Sequence, residues 1–302
     1  MLLDEALEAL AVSGSGIYID GTFGRGGHAK AILQALGEEG RLLAIDRDPE
    51  AVAFGRELLA GEERFVIERG SFSMLEQLVT QRGWRERVSG ILLDLGVSSP
   101  QLDTPGRGFS FLNDGPLDMR MDNSGGMSAA DWLAQAKAEE IADVLYKYGD
   151  ERFSRRIARA VVETRQQAPI LTTGQLAAII TAAIPFREKG KHPATRSFQA
   201  IRIHVNRELE ELESCLAQSI SVLAPQGRLA VISFHSLEDR IVKRFIRDQA
   251  KGDRFPRGVP VSQSQIHPKM RPVGKAIRPS KEETDVNPRA RSAVLRIAER
   301  LH

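Results

Sequence analysis

Two stretches decide how this chain folds: residues 16–28, Gly16-Ile-Tyr-Ile-Asp20-Gly-Thr-Phe-Gly24-Arg-Gly26-Gly27-His28, and residues 41–49, Arg41-Leu-Leu-Ala-Ile-Asp46-Arg-Asp48-Pro49. Ile17, Tyr18 and Ile19 form a short apolar run, the pattern of a strand buried on both faces, and it stops at a carboxylate. The glycines after it let the backbone turn sharply and pass close to a ligand. Ala29 to Leu36 carries apolar residues at helical spacing, Gly37 and Gly40 end that helix, and Arg41 to Ile45 predicts a second buried strand that again ends in an acid, Asp46. Strand, glycine turn, helix and strand make a βαβ unit, whose ligand crevice lies at the carboxyl ends of the strands.

Glycine spacing alone leaves the ligand open. Gly24-Arg-Gly26-Gly27-His28-Ala29 also fits the G-x-G-x-x-A form of a dinucleotide fingerprint, with Asp46 placed for a ribose hydroxyl. Charge separates the alternatives. A dinucleotide would bring a doubly negative pyrophosphate to a turn that has Asp20 just upstream, whereas S-adenosylmethionine brings a sulfonium and an ammonium, and both attract a carboxylate. The residues therefore favour S-adenosylmethionine, with a nicotinamide cofactor as the alternative.

With 302 residues, the chain has room for one large domain carrying an insertion, or for two domains. Its net charge is only +2, so a nucleic-acid surface has to come from local clustering. The single cysteine, Cys215, excludes an internal disulfide and suits a reducing compartment. No apolar run approaches membrane-spanning length and the start lacks a signal-peptide pattern, which predicts a cytoplasmic protein.

Further along, Asp48-Pro49 is a helix N-cap with proline at the first helical position, Phe65-Val-Ile is a third strand, and Gly70-Ser71-Phe72-Ser73 opens the next helix. Phe72 stands at the mouth of the crevice, either packing in the core or stacking on an adenine. Ile91-Leu-Leu-Asp94 is a fourth strand, so Asp20, Asp46 and Asp94 bring three acids to one crevice. From Leu102 to about Asn206 the pattern changes to a long glycine- and proline-rich loop and then helices over 129–136, 139–146, 151–167 and 173–183, with no strand between them. Glu208 to Leu223 is a helix, Arg228 to Ser233 a fifth strand, Ser236-Leu-Glu-Asp the cap of a helix reaching about Ala250, 251–288 a loop, and Ser292 to Ala298 a last strand. The expected domains are a methyltransferase core in two parts, 1–101 and 207–302, and an inserted helical substrate-recognition domain, 102–206.

These segments together resemble the ribosomal RNA small-subunit methyltransferase H family, the MraW proteins. The resemblance is carried by Asp20 to His28, Ala44 to Asp48, Leu92-Leu-Asp-Leu-Gly-Val-Ser-Ser-Pro-Gln101, Gly115-Pro-Leu-Asp-Met-Arg120, His192-Pro-Ala-Thr-Arg196, Ser233-Phe-His-Ser-Leu-Glu-Asp-Arg240 and Asn287-Pro-Arg-Ala-Arg-Ser292, which span nearly the whole chain in order. The family usually has a few residues, a histidine among them, before the Leu-Leu-Asp-Glu stretch, while this chain begins at Met1-Leu2-Leu3. The resemblance implies an α/β, class I (Rossmann-like) methyltransferase with an inserted small helical domain. It implies transfer of a methyl group from S-adenosylmethionine to the exocyclic 4-amino group of a cytidine in the decoding centre of 16S rRNA, within the small ribosomal subunit. It also implies that Gly26, Gly27, His28, Asp46, Phe72, Asp94 and Gln101 contact the cofactor.

Methylating an amine requires acceptors that hold it in line, and Asp94 is the candidate catalytic residue. His235, just past the fifth strand, is a second candidate that either faces the target base or is a hydrogen-bonded structural histidine. Methylation of a ring carbon would need a thiolate, and Cys215, between Leu212 and Leu216 on a regular helix, reads as packing. The scattered His192, His204 and His235 nominate no metal site. Arg152, Arg155, Arg156 and Arg159, with a second cluster of Lys189, Lys191, His192 and Arg196, are the expected RNA contacts. The rival functions are a catalytically silent RNA-binding assembly factor and an NAD-dependent oxidoreductase. Oligomeric state stays open, a homodimer included.

Overall fold

The computed structural model describes residues 1–185, 190, 192–253 and 266–302. Lys189 and Lys191 of the second basic cluster lie outside the described residues. In chain order the elements begin with α1 (Leu3–Leu10), β1 (Ile17–Asp20), α2 (Gly27–Ala35), β2 (Arg41–Asp46), α3 (Pro49–Leu58), β3 (Phe65–Arg69), α4 (Leu75–Gln81) and β4 (Val88–Asp94). Six helices follow: α5 (Ser99–Asp103), α6 (Ala129–Gln135), α7 (Ala138–Gly149), α8 (Ser154–Gln167), α9 (Thr173–Ala183) and α10 (Thr195–Asn206). The chain closes with α11 (Glu208–Val222), β5 (Leu223–Ser233), α12 (Ser236–Lys251), β6 (Met270–Pro272), α13 (Lys281–Val286) and β7 (Val294–Arg300). Two compact units result, one made of Met1–Gly96 with Leu209–His302 and the other of Val97–Glu208.

The first unit holds a seven-stranded sheet in the order β3-β2-β1-β4-β5-β7-β6, with β1 to β5 parallel and β7 antiparallel to both its neighbours. Its central strands are apolar on both sides because helices cover both faces. Ile17 and Ile19 face one layer, with Leu43, Leu75, Leu212, Leu216 and Val242, while Tyr18 faces the other, with Leu10, Ile32, Leu42 and Ala44. The sequence of connections runs outward from β1 to β3, then jumps back across β1 to β4. That reversal leaves a crevice at the carboxyl ends of β1 and β4. Parallel register brings the strand ends close together, with β2 and β4 running two residues past the end of β1: Asp20 pairs with Ala44 and Leu92, and Asp94 with Ile232.

Three expectations change here. The stretch 251–288, expected as loop, contains β6 and α13, with residues 254–265 outside the described set. Met270 is fully buried and anchors β6 beside β7, but three residues are too few to show a period of two. β5 starts at Leu223 instead of Arg228 because the Pro225-Gln226-Gly227 turn is absorbed as an irregularity in pairing with β4, with Gln226 at φ 66°. The cap of α12 is His235, one residue before the expected Ser236.

The second unit has its own core, built from Leu117, Met119, Leu133, Ile141, Leu145, Ile157, Val161, Leu176, Ile180, Phe198 and Ile201. Helix α10, absent from the sequence reading, buries Phe198, Ala200, Ile201 and Ile203. The long loop before α6 is held from within. Arg107 is buried and donates to the Met121 carbonyl (2.8 Å), and Asn206 accepts from Met121 N–H (2.7 Å) while donating to the Met119 carbonyl (2.7 Å). Arg155, Arg156 and Arg159 lie exposed on α8, but the helix begins at Ser154, so Arg152 precedes it.

A Cβ on Gly90 of β4 would sit 2.8 Å from ring carbons of Tyr18, which is fully buried on the neighbouring strand. Gly90→Ala is therefore expected to cost about 1–3 kcal/mol through overpacking. Urea unfolding should show a lower midpoint at an unchanged slope.

Candidate cofactor site at the strand ends

Asp20 ends β1 almost wholly buried, and its Oδ1 accepts from Thr22 N–H (3.1 Å). The Thr22 hydroxyl oxygen in turn accepts from Asp94 N–H (2.6 Å), which ties the exit of β1 to the end of β4. Asp46 ends β2 and stitches the glycine turn to it: Oδ2 accepts from Gly24 N–H (2.8 Å) and Oδ1 from Asp48 N–H (2.9 Å). Asp48 caps α3 by accepting from Glu50 N–H (3.0 Å) with Pro49 behind it, as its sequence predicts. The three acids thus stand together, each fixed by backbone geometry.

The turn between β1 and α2 needs its glycines. Gly26 is the α2 N-cap at φ 71°, in the left-handed region, and a Cβ there would meet the Phe23 ring at 2.7 Å. A Cβ on Gly55 of α3 would meet the same ring at 2.7 Å, so Phe23 is wedged between two glycines. A Cβ on Gly27 would meet nothing within 4 Å, which leaves the first turn of α2 open on that side. His28 is buried, with Nε2 3.0 Å from the Met1 carbonyl oxygen and Nδ1 3.7 Å from Asp94 Oδ2. Burial pushes the His28 ring down to about 4, so it is neutral near pH 7 and its approach to Asp94 is not an ion pair.

Phe72 follows β3, half-buried, packed against the apolar layer under the sheet. A Cβ on Gly21 would come within 3.3 Å of the Phe72 Cβ, so Phe72 borders the exit of β1. Ser71 beside it hydrogen-bonds Glu211 of α11, which also lies 3.6 Å from the Arg47 guanidinium. His235 caps α12: its Nδ1 faces Glu238 N–H (3.5 Å), and Glu238 Oε2 accepts from Phe234 N–H (2.8 Å). The His235 Nε2 is buried and lies 3.2 Å from Glu238 Oε1, so both ring nitrogens face Glu238. Gln101 belongs to the helical unit, where it is buried and its Oε1 accepts from Ser98 N–H (3.0 Å) in the capping box of α5. Thr22 is the site residue that sequence reasoning missed, and Asp20-Gly-Thr22 has the spacing of a turn closed by its own aspartate.

Asp20 Oδ2 and Asp94 Oδ1 are enclosed without a hydrogen-bond partner, and neither carboxylate meets a Lys or Arg side chain among the described residues. Burial pushes Asp20 up to about 7, with repulsion from Asp94 and Asp46 adding, and burial pushes Asp94 up to about 7 against the opposing charge of the Met1 amino terminus, with Glu238 and Glu283 adding. Asp46 is raised too by burial, against the N–H groups of Asp48 and Gly24. Buried acids in that state accept a cation readily. The sulfonium and ammonium of S-adenosylmethionine fit these orphaned oxygens, and a pyrophosphate does not.

The chain matches the model of the MraW methylase family over residues 1–301. The Ribosomal RNA small subunit methyltransferase H of Thioalkalivibrio sulfidiphilus is 63% identical over 100% of this chain and 96% of its own length. Proteins of the same name from Chromohalobacter salexigens and Nitrosococcus oceani are 57% and 56% identical, over 100% and 99% of this chain and 91% and 96% of theirs. Among the described residues no helix is long and apolar enough to cross a membrane.

An acid raised by folding makes stability fall as pH rises, because between its unfolded and folded pKa the unfolded chain has released a proton that the folded chain keeps. For Asp20 that window runs from the ordinary value of 3.8 to about 7. Asp20→Asn should therefore gain stability over the wild type progressively from about pH 4 to 7 and hold the gain above it. Urea midpoints across that range check this, and a wild-type-to-variant difference independent of pH would contradict it.

Proposed function

The chain belongs to the MraW methylase family, and from that premise we propose that it transfers a methyl group from S-adenosylmethionine to the exocyclic 4-amino group of a cytidine in the decoding centre of 16S rRNA. The observation that carries the cofactor half is the pair of enclosed, unpartnered carboxylate oxygens on Asp20 and Asp94, at the point where the strand order reverses. The RNA half rests on relatives 56–63% identical over essentially the full chain, each named as a small-subunit rRNA methyltransferase.

Bound S-adenosylmethionine supplies a methyl group already activated on sulfur, so the protein's task is alignment and exclusion of water. Asp20 and Asp94 face the cationic end, Asp46 takes the ribose hydroxyls, Gly26, Gly27 and His28 line the turn, and Phe72 covers the adenine. Gln101 is assigned to the cofactor through the family resemblance. A cytosine amine is a weak nucleophile because its lone pair is conjugated into the ring. Asp94 holds it by accepting a hydrogen bond and stabilises the charge that forms on nitrogen. His235, whose Nε2 lies 3.2 Å from Glu238 Oε1, has the weaker claim to a catalytic role. Attack on the ring by sulfur is unfavourable: Cys215 is buried between Leu212 and Leu216, and burial pushes its thiol far above the physiological range. The exposed arginines of α8 add phosphate contacts.

Nucleoside mass spectrometry of small-subunit RNA incubated with the protein and S-adenosylmethionine should find 4-methylcytidine. Methyl on the ring carbon, or none, would overturn the reading. Asp46→Ala should weaken S-adenosylhomocysteine binding about tenfold to a hundredfold by calorimetry, the worth of a hydrogen bond to an ionised acceptor. Cys215→Ser, with its fold verified by circular dichroism, should keep most of the methyl transfer, and complete loss would restore thiol chemistry.

A further inference from the structure

The last 63 residues of the chain, 240–302, contain sixteen Lys and Arg against six Asp and Glu, in a protein whose overall charge is only +2. Part of that excess is arranged. Arg240, Lys243, Arg244 and Arg247 are all exposed and stand at i, i+3, i+4 and i+7 along α12, on the face opposite Val242 and Ile246, which are buried in the core. We propose that this outer face of α12 is an RNA-binding surface that grips backbone phosphates near the methylation site. The proposal rests on the rRNA reading above and adds a surface on the methyltransferase unit itself.

Local stability does not account for the stripe. Cations favour the last turn of a helix, which explains Lys251 and eases Arg247, but Arg240 and Lys243 lie in its first half and Arg244 at its middle. Arg240 with Arg244, and Lys243 with Arg247, are like-charge pairs at i, i+4, which weaken a helix. Neighbouring acids do not offset them. Glu238 is buried on the Phe234 and His235 backbone, Asp239 binds Arg296 at 2.7 Å, and Asp248 pairs with Arg247. Arg240, Lys243 and Arg244 have no ion pair among the described residues.

Position supplies the second part. The cap of α12, His235, lies two residues beyond the end of β5, whose Ile232 pairs with Asp94. The stripe thus starts about one helical turn from the strand ends and runs away from them for about 10 Å. A polyanion following it would lead toward the strand ends. A lipid surface fits less well, because the apolar side of α12 is already committed to the protein core and has nothing to insert.

Fluorescence anisotropy with a single-stranded RNA oligonucleotide, titrated over potassium chloride, tests the surface in the full-length protein. The triple variant Arg240→Gln, Lys243→Gln, Arg244→Gln should lose at least about tenfold in RNA affinity, and the slope of log affinity against log salt should flatten by about 2, near 0.7 for each phosphate contact removed. S-adenosylhomocysteine affinity should stay unchanged. Wild-type RNA affinity and slope in the triple variant would overturn the surface while leaving the rRNA reading intact. A wild-type protein that binds no RNA would overturn both. Charge-dependent binding to phosphatidylserine vesicles without RNA affinity would assign the stripe to membranes and likewise overturn it. If the triple variant loses S-adenosylhomocysteine binding, Lys243→Gln alone decides, with an expected flattening of about 0.7.

Discussion

One hydrogen bond, from the Asp94 N–H to the Thr22 hydroxyl oxygen, joins the ends of the two strands between which the site lies. Thr22 is in turn drawn back by Asp20, so the end of β4, the turn after β1 and the buried carboxylate of β1 are fixed as one piece. Asp46 does the same for β2 by receiving the Gly24 N–H from the glycine turn and the Asp48 N–H from the segment that follows β2. Through these contacts three like charges are kept close together in a poorly hydrated place. The arrangement is unfavourable for the bare protein and favourable for a cationic ligand, and such tension between stability and binding is common at functional sites.

Much of this was legible in the sequence because it depends on short-range pattern. Apolar runs ending in an acid marked β1, β2 and β4, and the three acids appear at those ends in the structure. Asp48-Pro49 announced a cap that α3 uses. What escaped depends on partners far along the chain. Met270 makes β6 by burial beside β7, and Asn206 becomes a clamp only because Met119 and Met121 lie against it, 87 and 85 residues away in sequence. His235 and Gln101 illustrate another limit. A polar residue in a motif can be engaged by a helix end, and only the geometry of the capping box reveals it.

The helical unit combines a closed apolar core with a loop pinned by polar contacts. Arg107 is buried yet satisfied by the carbonyls of Arg120 and Met121, and the Arg120 side chain binds Asp118 at 2.6 Å. Long loops usually sacrifice order for reach. This one is braced at several points along its length, which suits a surface that presents residues at fixed positions.

The Phe23 wedge bears on how the protein can change over evolutionary time. Gly55 lies within α3, where alanine would ordinarily be the better helix former, yet its hydrogen side is filled by a ring that also abuts Gly26 in the cofactor turn. A helix-strengthening substitution at Gly55 would push that ring toward the turn, and a bulkier turn would push it toward the helix. The two glycines and Phe23 therefore constrain one another: a smaller side chain at position 23 would relieve the ring's share of the clash at both, while Gly26 would keep its left-handed φ of 71° and Gly55 its contact with Ile67.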